Sequence, residues 1–466
     1  MKKVFLIVFI AACMAVCAFP SLGMAFAPES KPIGNEKETK LPSFTNADGS
    51  INTSFPTQLG EYFEKHFAFR PEAISADARI QSSLFSASNN DLVIVGSDDW
   101  LYYRSTLDDH LGNNVFSERQ AKAFVRNLEL VRSFCESRGV SFLFTVAPNK
   151  NSLYPEHMPY YYGKKVSSGS NREMISKALS ESKVQYCDLF KLFESKNEVL
   201  YFARDSHWNN TGALMVYDAV LTQMGKSHDD YSTASKSRKK DFVGDLAKML
   251  YPSGSKPEYN TYYGAEERYQ YITAAKSVED PYIKTENEDA SGSLFMYRDS
   301  FGNSLLPFFA SAYNKATFTK AFPMLLENEF DSATPDAFIM ELVERNLDWL
   351  LTRPPVISAR ETSVPGSLGT LSGKADIRVR ECEFSPLYTE LSGSVDCGGL
   401  SDGAEFSVLV KDAQGKTAVY EAYSICTDES DFGFRAYLPA DAFPADSDAE
   451  IKVIAKTDDM YYDIKE

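Results

Sequence analysis

Cysteine is scarce, with 7 in 466 residues, and two of them, Cys13 and Cys17, fall in an apolar leader. The five that remain are an odd number, too sparse for a disulfide scaffold, and they neither require nor exclude an oxidising compartment. Cys135 and Cys187 fall in core-facing patterns, while Cys382, Cys397 and Cys426 crowd the last segment, where one pair is free to bridge. Histidine is equally thin, 5 in all, and none has the close helical spacing of a zinc site. Positive charge is in deficit, with Lys+Arg 48 against Asp+Glu 65 and a net charge of -17. Such a chain repels nucleic acid and anionic lipid unless a local basic patch intervenes, and the short run Lys236 to Lys240 reads as a solvated loop. No internal repeat or low-complexity tract is present. The hydrophobic content of 44% is that of an ordinary folded protein, and the length suits two domains or more.

The start reads as an export segment: Lys2 and Lys3, then an uncharged apolar run from Val4 to Phe19 and small residues out to Ala27. Ala25-Phe26-Ala27 offers a cleavage site, and the uncharged stretch equally suits a retained membrane anchor. Ile10-Ala11-Ala12-Cys13 has the form of a lipoprotein box, ranked below the other two readings. The mature chain is therefore expected outside the cytoplasm. Residues 28–55 are polar and aperiodic and read as a tether. Leu59, Tyr62, Phe63 and Phe67 then mark an amphipathic helix ending near Arg70-Pro71, with His66 inside it. A hairpin is expected from Leu92-Val93-Ile94-Val95 to Trp100-Leu101-Tyr102-Tyr103. Next comes a helix with a Ser117/Gln120 capping box, an apolar face and a stop at Gly139.

From Val140-Ser141-Phe142-Leu143-Phe144-Thr145-Val146-Ala147 onward, strands apolar on both faces alternate with helices, which predicts an α/β fold with a parallel sheet flanked by helices over 56–353. Lys226 to Ser293 is irregular and tyrosine-rich and reads as a long insertion near the site, with a helix around Phe242 to Leu250 and a strand near Tyr269 to Thr273. Strands are expected at Leu294 to Tyr297, Lys315 to Thr319 and Asp336 to Met340, then a helix from Leu342 to Leu351. Thr352-Arg353-Pro354-Pro355 breaks the pattern. Residues 356–466 carry short alternating runs between turn-rich segments and predict a C-terminal β-sandwich. Trp100, Trp208 and Trp349 all precede that domain, so an aromatic sugar platform there rests on Tyr388, Tyr420, Tyr423, Tyr461 or Tyr462. A structural spacer is the simpler role.

Two stretches carry chemistry. Asp205 and His207, two apart in an expected extended segment before a helix, point the same way, so that the carboxylate orients the imidazole and fixes its tautomer. The same pair would also serve as metal ligands. Asp299-Ser300-Phe301-Gly302 ends an apolar run at a serine where a helix begins; its first backbone N–H groups face a developing oxyanion, and Gly302 lets a substrate come close. In open α/β sheets ligands gather at the carboxyl ends of the strands. Convergence of Asn149-Lys150, Asp205-His207 and Asp299-Ser300 there would assemble nucleophile, base and orienting acid for acyl transfer through a serine ester.

Asp205-Ser206-His207-Trp208-Asn209, Arg298-Asp299-Ser300-Phe301-Gly302-Asn303, Pro148-Asn149-Lys150 with Tyr154-Pro155-Glu156, and Pro335-Asp336 leading to Glu341, Glu344 and Arg345 together resemble the DHHW proteins. These are relatives of the alginate O-acetyltransferases in the SGNH hydrolase superfamily. The resemblance spans roughly Leu59 to Leu351 and implies an SGNH hydrolase-like fold with permuted motif order: Ser300 as nucleophile, His207 as base, Asp205 as orienter. Arg298 stands where a glycine commonly precedes Asp-Ser. Asn149 and Asn303 are the oxyanion candidates, and Lys150, Arg298 and Trp208 the remaining substrate-site candidates, Trp208 being expected to pack beside the histidine.

The resemblance further implies an O-acetyltransferase or acetylesterase that acts outside the cytoplasm on a cell-surface or secreted polysaccharide. It would need no cofactor beyond an acetyl donor, which a membrane-bound O-acyltransferase would supply, and no nucleic acid. The competing expectation is a non-catalytic glycan-binding or cell-envelope assembly protein that keeps the fold.

Overall fold

The computed structural model describes every residue except 1, 25, 27–32, 34–36, 168, 266, 267, 276, 412–414 and 466. The cleavage site at Ala25-Phe26-Ala27 and the start of the tether thus fall largely outside the described residues. The apolar leader is one helix, Lys2–Gly23. Its window Lys3–Pro20 has a mean hydropathy of 2.4 and packs against nothing that buries it, long and apolar enough to cross a membrane.

The first expected helix runs Phe55–His66, and Arg70-Pro71 opens a second one, Arg70–Phe85, rather than closing the first. Proline in the first turn of a helix loses no hydrogen bond and presets φ, so Pro71, the second helical residue, reads as a start here. The hairpin pairs Val93–Val95 with Leu101–Tyr103. The helix Glu118–Ser137 has both reciprocal bonds of its Ser117/Gln120 capping box.

The central sheet has seven strands in the order Tyr186–Cys187, Ser141–Ala147, Ala337–Val343, Ser293–Tyr297, Lys315–Thr319, Tyr282–Glu286 and Gln270–Tyr271. The first five are parallel, and the last two add antiparallel. The sheet is therefore mixed, and the antiparallel pair comes from the stretch read as an irregular insertion. That stretch also forms a hairpin, Ser237–Phe242 with Glu258–Tyr262, and the helix Asp245–Leu250. Its strands alternate buried and half-exposed positions at the sheet's open edge and lack the continuous apolar run of the inner strands. All seven residues of Ala337–Val343 are buried. After it the chain makes a 3-10 turn, Glu344–Asn346, and a short helix, Trp349–Thr352, in place of the single helix expected from Leu342.

The C-terminal strands pack as two layers around Leu391, Phe406, Val408, Phe434, Leu438 and Val453. One long strand, Gly369–Glu381, joins the layers. Its residues 369–372 pair in parallel with Met460–Lys465, and from Gly373 onward it pairs antiparallel with Tyr388–Cys397. The switch falls at a glycine whose missing Cβ would lie 2.4 Å from the Asp396 carbonyl oxygen. Tyr388 and Tyr423 are buried and unavailable as sugar platforms. The sandwich rests on the helix Glu118–Ser137. Asn127, fully buried there, donates to the carbonyls of Leu350 and Ser424 and accepts from the Ser424 N–H. Cys135, Cys187, Cys382, Cys397 and Cys426 are free thiols, all but Cys397 buried.

Candidate active site

Ser300 sits in the bend between the strand Ser293–Tyr297 and the helix Gly302–Ala312, over the carboxyl end of the sheet. The bend is fixed by Asp299, whose Oδ1 accepts from Phe301 N–H and whose Oδ2 accepts from Val343 N–H, both at 2.8 Å. Asp299 in turn donates its own N–H to Glu341 Oε2. Gly302 is required because a Cβ there would stand 2.4 Å from the Cβ of Arg298.

Asp205 and His207 are not carried on a strand of the sheet. Residues 202–207 form a loop closed by an antiparallel bridge between Tyr201 and Trp208. Its geometry is that of an Asx turn, in which a side-chain carboxylate accepts the N–H two residues on. Asp205 Oδ1 accepts His207 N–H at 2.8 Å and meets His207 Nδ1 at 2.6 Å. His207 Nε2 lies 2.8 Å from Ser300 Oγ. The hydroxyl, imidazole and carboxylate predicted from two distant stretches thus stand in one hydrogen-bonded line. Phe301 packs edge-on against the imidazole at 4.7 Å.

The remaining candidates are arranged differently. Lys150 is buried, and its ammonium donates to the carbonyls of Phe202, Ala203 and Asp205 at 3.2, 3.0 and 2.6 Å. Burial draws its pKa down to about 7; the three acceptors favour the ammonium, the form with three N–H bonds to give. It is a clamp on the Asp205 loop, not a substrate contact. Asn149, fully buried, donates its amide to Asp109 and its N–H to Glu344. Arg298, also fully buried, reaches Asn303 Oδ1 and the carbonyls of Val278 and Asp280, stapling the insertion to the Ser300 bend. A guanidinium with those partners cannot reach a substrate. Trp208 is buried, with Nε1 donating to Ser304 Oγ at 2.7 Å and its ring 4.9 Å from that of Phe301, which leaves no face for a sugar. Of the five, Trp208 and Asn303 border the pocket beside Ser300, Trp208 with only 1% of its surface exposed and Asn303 with its amide held by Glu279.

Asp245, inside the insertion, went unrecognised in the sequence. Its N–H donates to Asp205 Oδ2 at 2.7 Å, and its carboxylate accepts from Ser206 N–H and Oγ at 2.8 and 2.5 Å. Gly244 makes this docking possible, since a Cβ there would come within 2.2 Å of the Arg204 carbonyl oxygen. Nothing in Gly244-Asp245 distinguishes it from any acidic helix start, so the tertiary contact is its only signal. Arg345 was noted as part of a motif without a role. Its guanidinium lies over the rings of Tyr103 and Phe301 and lines the same pocket as Ser300.

Electrostatics follow from this packing. Burial alone would push Asp205 up, but the charge of the adjacent His207 and three hydrogen bonds, from the His207 ring, the Asp245 N–H and the His207 N–H, hold it down to about 2. Burial opposes the imidazolium of His207, and Asp205 outweighs it, so the histidine's pKa is raised above the ordinary value of 6.5. Asp245 is raised by burial and by the charge of Asp205. Asp205, His207 and Asp245 bring ligand-type atoms within 4.8 Å of one another. Both Asp205 oxygens already accept N–H groups and Asp245 already holds Ser206, so a cation there would have to displace those donors. The pocket in front of Ser300 has a volume of about 410 Å³.

Residues 93–296 match the family described as SGNH hydrolase-like domain, acetyltransferase AlgX. A probable alginate O-acetylase AlgJ from Pseudomonas fluorescens is 21% identical over 172 residues, 36% of this chain and 42% of that protein. The chain thus spans about two fifths of the length of the curated relative it matches. Among solved structures, Bacillus cereus PatB1 covers 55% of this chain and 97% of its own at 16% identity and a TM-score of 0.44. A DHHW family protein from Eubacterium siraeum DSM 15702 covers 56% of this chain and 93% of its own at 17% identity and a TM-score of 0.42. The motif resemblance to the relatives of the alginate O-acetyltransferases agrees with the match over residues 93–296 and with the AlgJ relative.

Proposed function

Starting from that relationship, we propose that the chain is a serine-dependent O-acetyltransferase or acetylesterase acting outside the cytoplasm on a polysaccharide. The observation that carries the reading is the line Ser300 Oγ, His207 Nε2, His207 Nδ1 and Asp205 Oδ1, with steps of 2.8 and 2.6 Å. In this reading His207 Nε2 takes the proton of Ser300 as Oγ attacks an acetyl carbonyl carbon. The tetrahedral intermediate collapses as the C–O bond to the leaving group breaks, and His207 returns the proton to that oxygen. Acetyl-Ser300 remains. A glycan hydroxyl, or water in the hydrolytic branch, then gives its proton to His207, attacks the ester and frees the serine. Asp205 keeps the second imidazole proton on Nδ1 and stabilises the imidazolium.

The oxyanion donors are assigned by elimination. Phe301 N–H is taken by Asp299, whereas the N–H groups of Ser300 and Gly302 have no acceptor among the described residues. One belongs to the nucleophile itself and the other to the first residue of the helix that follows, and they are the proposed pair. The glycan acceptor is supported by the alginate O-acetylase among the relatives, and the extracytoplasmic setting by the apolar N-terminal helix. No cofactor is needed beyond an acetyl donor, for which a membrane-bound O-acyltransferase is the proposed source.

Turnover of a chromogenic acetyl ester by the full chain tests the reading. Ser300→Ala and His207→Ala should each lower kcat by roughly three orders of magnitude or more, as in other serine triads. Wild-type protein without esterase or transferase activity would favour the non-catalytic alternative.

A further inference from the structure

Arg345 forms part of the wall of the pocket at Ser300. The same guanidinium lines a larger cleft of about 720 Å³, bounded on one side by the α/β part and on the other by the sandwich loop at Thr427 and Asp428. We propose that this cleft holds the acceptor glycan and that the glycan is one without carboxylates. The inference rests on the acetyl-transfer reading above.

Three features of the cleft support it. The first is the shared wall at Arg345. A polymer acetylated at Ser300 must leave a pocket of about 410 Å³, and the cleft beyond Arg345 is the adjoining space with room for several further sugar units. The second is the kind of polar group in the wall. Asn113 and Asn114 donate their amides to Asp108 and Asp109, which fixes all four side chains; both Asp109 oxygens are engaged, the second by Asn149, while Asn113, Asn114 and Asp108 each keep an oxygen to accept from a hydroxyl. Preset, planar acceptors of this sort fit the hydroxyls of a sugar ring.

The third is charge. Asp108, Asp348 and Asp428 are exposed around the cleft, and Arg345 is its one basic residue. The chain as a whole carries a net charge of -17. A polyuronate would set a carboxylate on each unit against these aspartates, a like-charge arrangement that rejects a partner, whereas uncharged or amino sugars meet acceptors. This also gives the C-terminal sandwich a place at the site, as one wall of the acceptor path.

The test separates the cleft from the chemistry. The full chain is first acetylated with a chromogenic acetyl ester, and failure at this stage counts against the Ser300 reading alone. The acetyl-enzyme is then chased with equal concentrations of cellohexaose or of the hexamer of galacturonic acid. The glucose hexamer should speed loss of the acetyl group at least ten-fold more than the uronate, and Asp348→Lys combined with Asp428→Lys should narrow or invert that ratio. Calorimetric titration of Ser300→Ala with the same two hexamers reads the cleft without catalysis and should show the same order of binding. Equal or better use of the uronate, no binding of either hexamer, or a ratio untouched by the charge reversal overturns the proposal.

Discussion

Lys150→Met isolates the claim that the site loop is held from beneath by a buried ammonium. The substitution keeps most of the side-chain volume and removes the donor of the three bonds to the carbonyls of Phe202, Ala203 and Asp205. The Ala203 carbonyl keeps its bond from Leu101 N–H, which leaves the Phe202 and Asp205 carbonyls without a partner; at about 1–3 kcal/mol each, the two cost roughly 2–6 kcal/mol. Removing a charge from the interior gives several kcal/mol back, and stripping one partner from a buried charged cluster typically nets a loss of about 3–5 kcal/mol. All three tryptophans, Trp100, Trp208 and Trp349, lie before the sandwich, so urea unfolding followed by tryptophan fluorescence reads the α/β part. The expected result is a stability loss of about 3 kcal/mol or more. A fall in kcat should accompany it, because Asp205 and His207 sit on the loop that loses its anchor. A variant within about 1 kcal/mol of wild type, with only KM for the ester raised, would place Lys150 on the substrate and refute the clamp.

The active form of His207 is the neutral imidazole, so activity falls as pH drops through its pKa. Since Asp205 raises that pKa above 6.5, the acid limb of kcat/KM should lie above the limb of a free imidazole. Asp205→Asn leaves burial as the largest influence, moves the limb below it and lowers kcat on the order of 10⁴-fold; an unmoved limb means another group titrates. Gly244→Ala puts a methyl against the Arg204 carbonyl, pushes Asp245 off Asp205 and should reduce kcat roughly ten-fold or more, and wild-type rates would show that the insertion's docking is dispensable. Trp208→Phe loses the Ser304 bond and about 1 kcal/mol of stability with KM for a glycan acceptor unchanged, whereas a large rise in that KM would mean the indole stacks on sugar.

The inner strands and the two chemical motifs were legible because each rests on local pattern: continuous apolar runs for Ser141–Ala147 and Ala337–Val343, and an acid, an imidazole and a serine in short signatures. The motif readings named the polar groups that met in space but misjudged what carries them. Asp205 reaches His207 through an Asx turn, which shares its two-residue spacing with a strand and cannot be told from one by spacing alone. Lys150, Asn149 and Arg298 lie beside the site motifs in sequence, which makes Asn149 an oxyanion candidate and the two cations substrate-site candidates. Burial decides otherwise: the charges of Lys150 and Arg298 are held against backbone carbonyls, and Asn149 is held by Asp109 and Glu344. The antiparallel edge of the sheet and the role of Asp245 come from contacts between segments far apart in the chain, where tertiary context overrides local preference.

The most direct test of the account is the mass of the full chain after brief incubation with p-nitrophenyl acetate, with the modified residue located by peptide mapping. One acetyl group on Ser300, absent from Ser300→Ala and formed far more slowly in His207→Ala, is the result the account predicts. Ester turnover with no acetyl on Ser300, or the same adduct and turnover in Ser300→Ala, would contradict it.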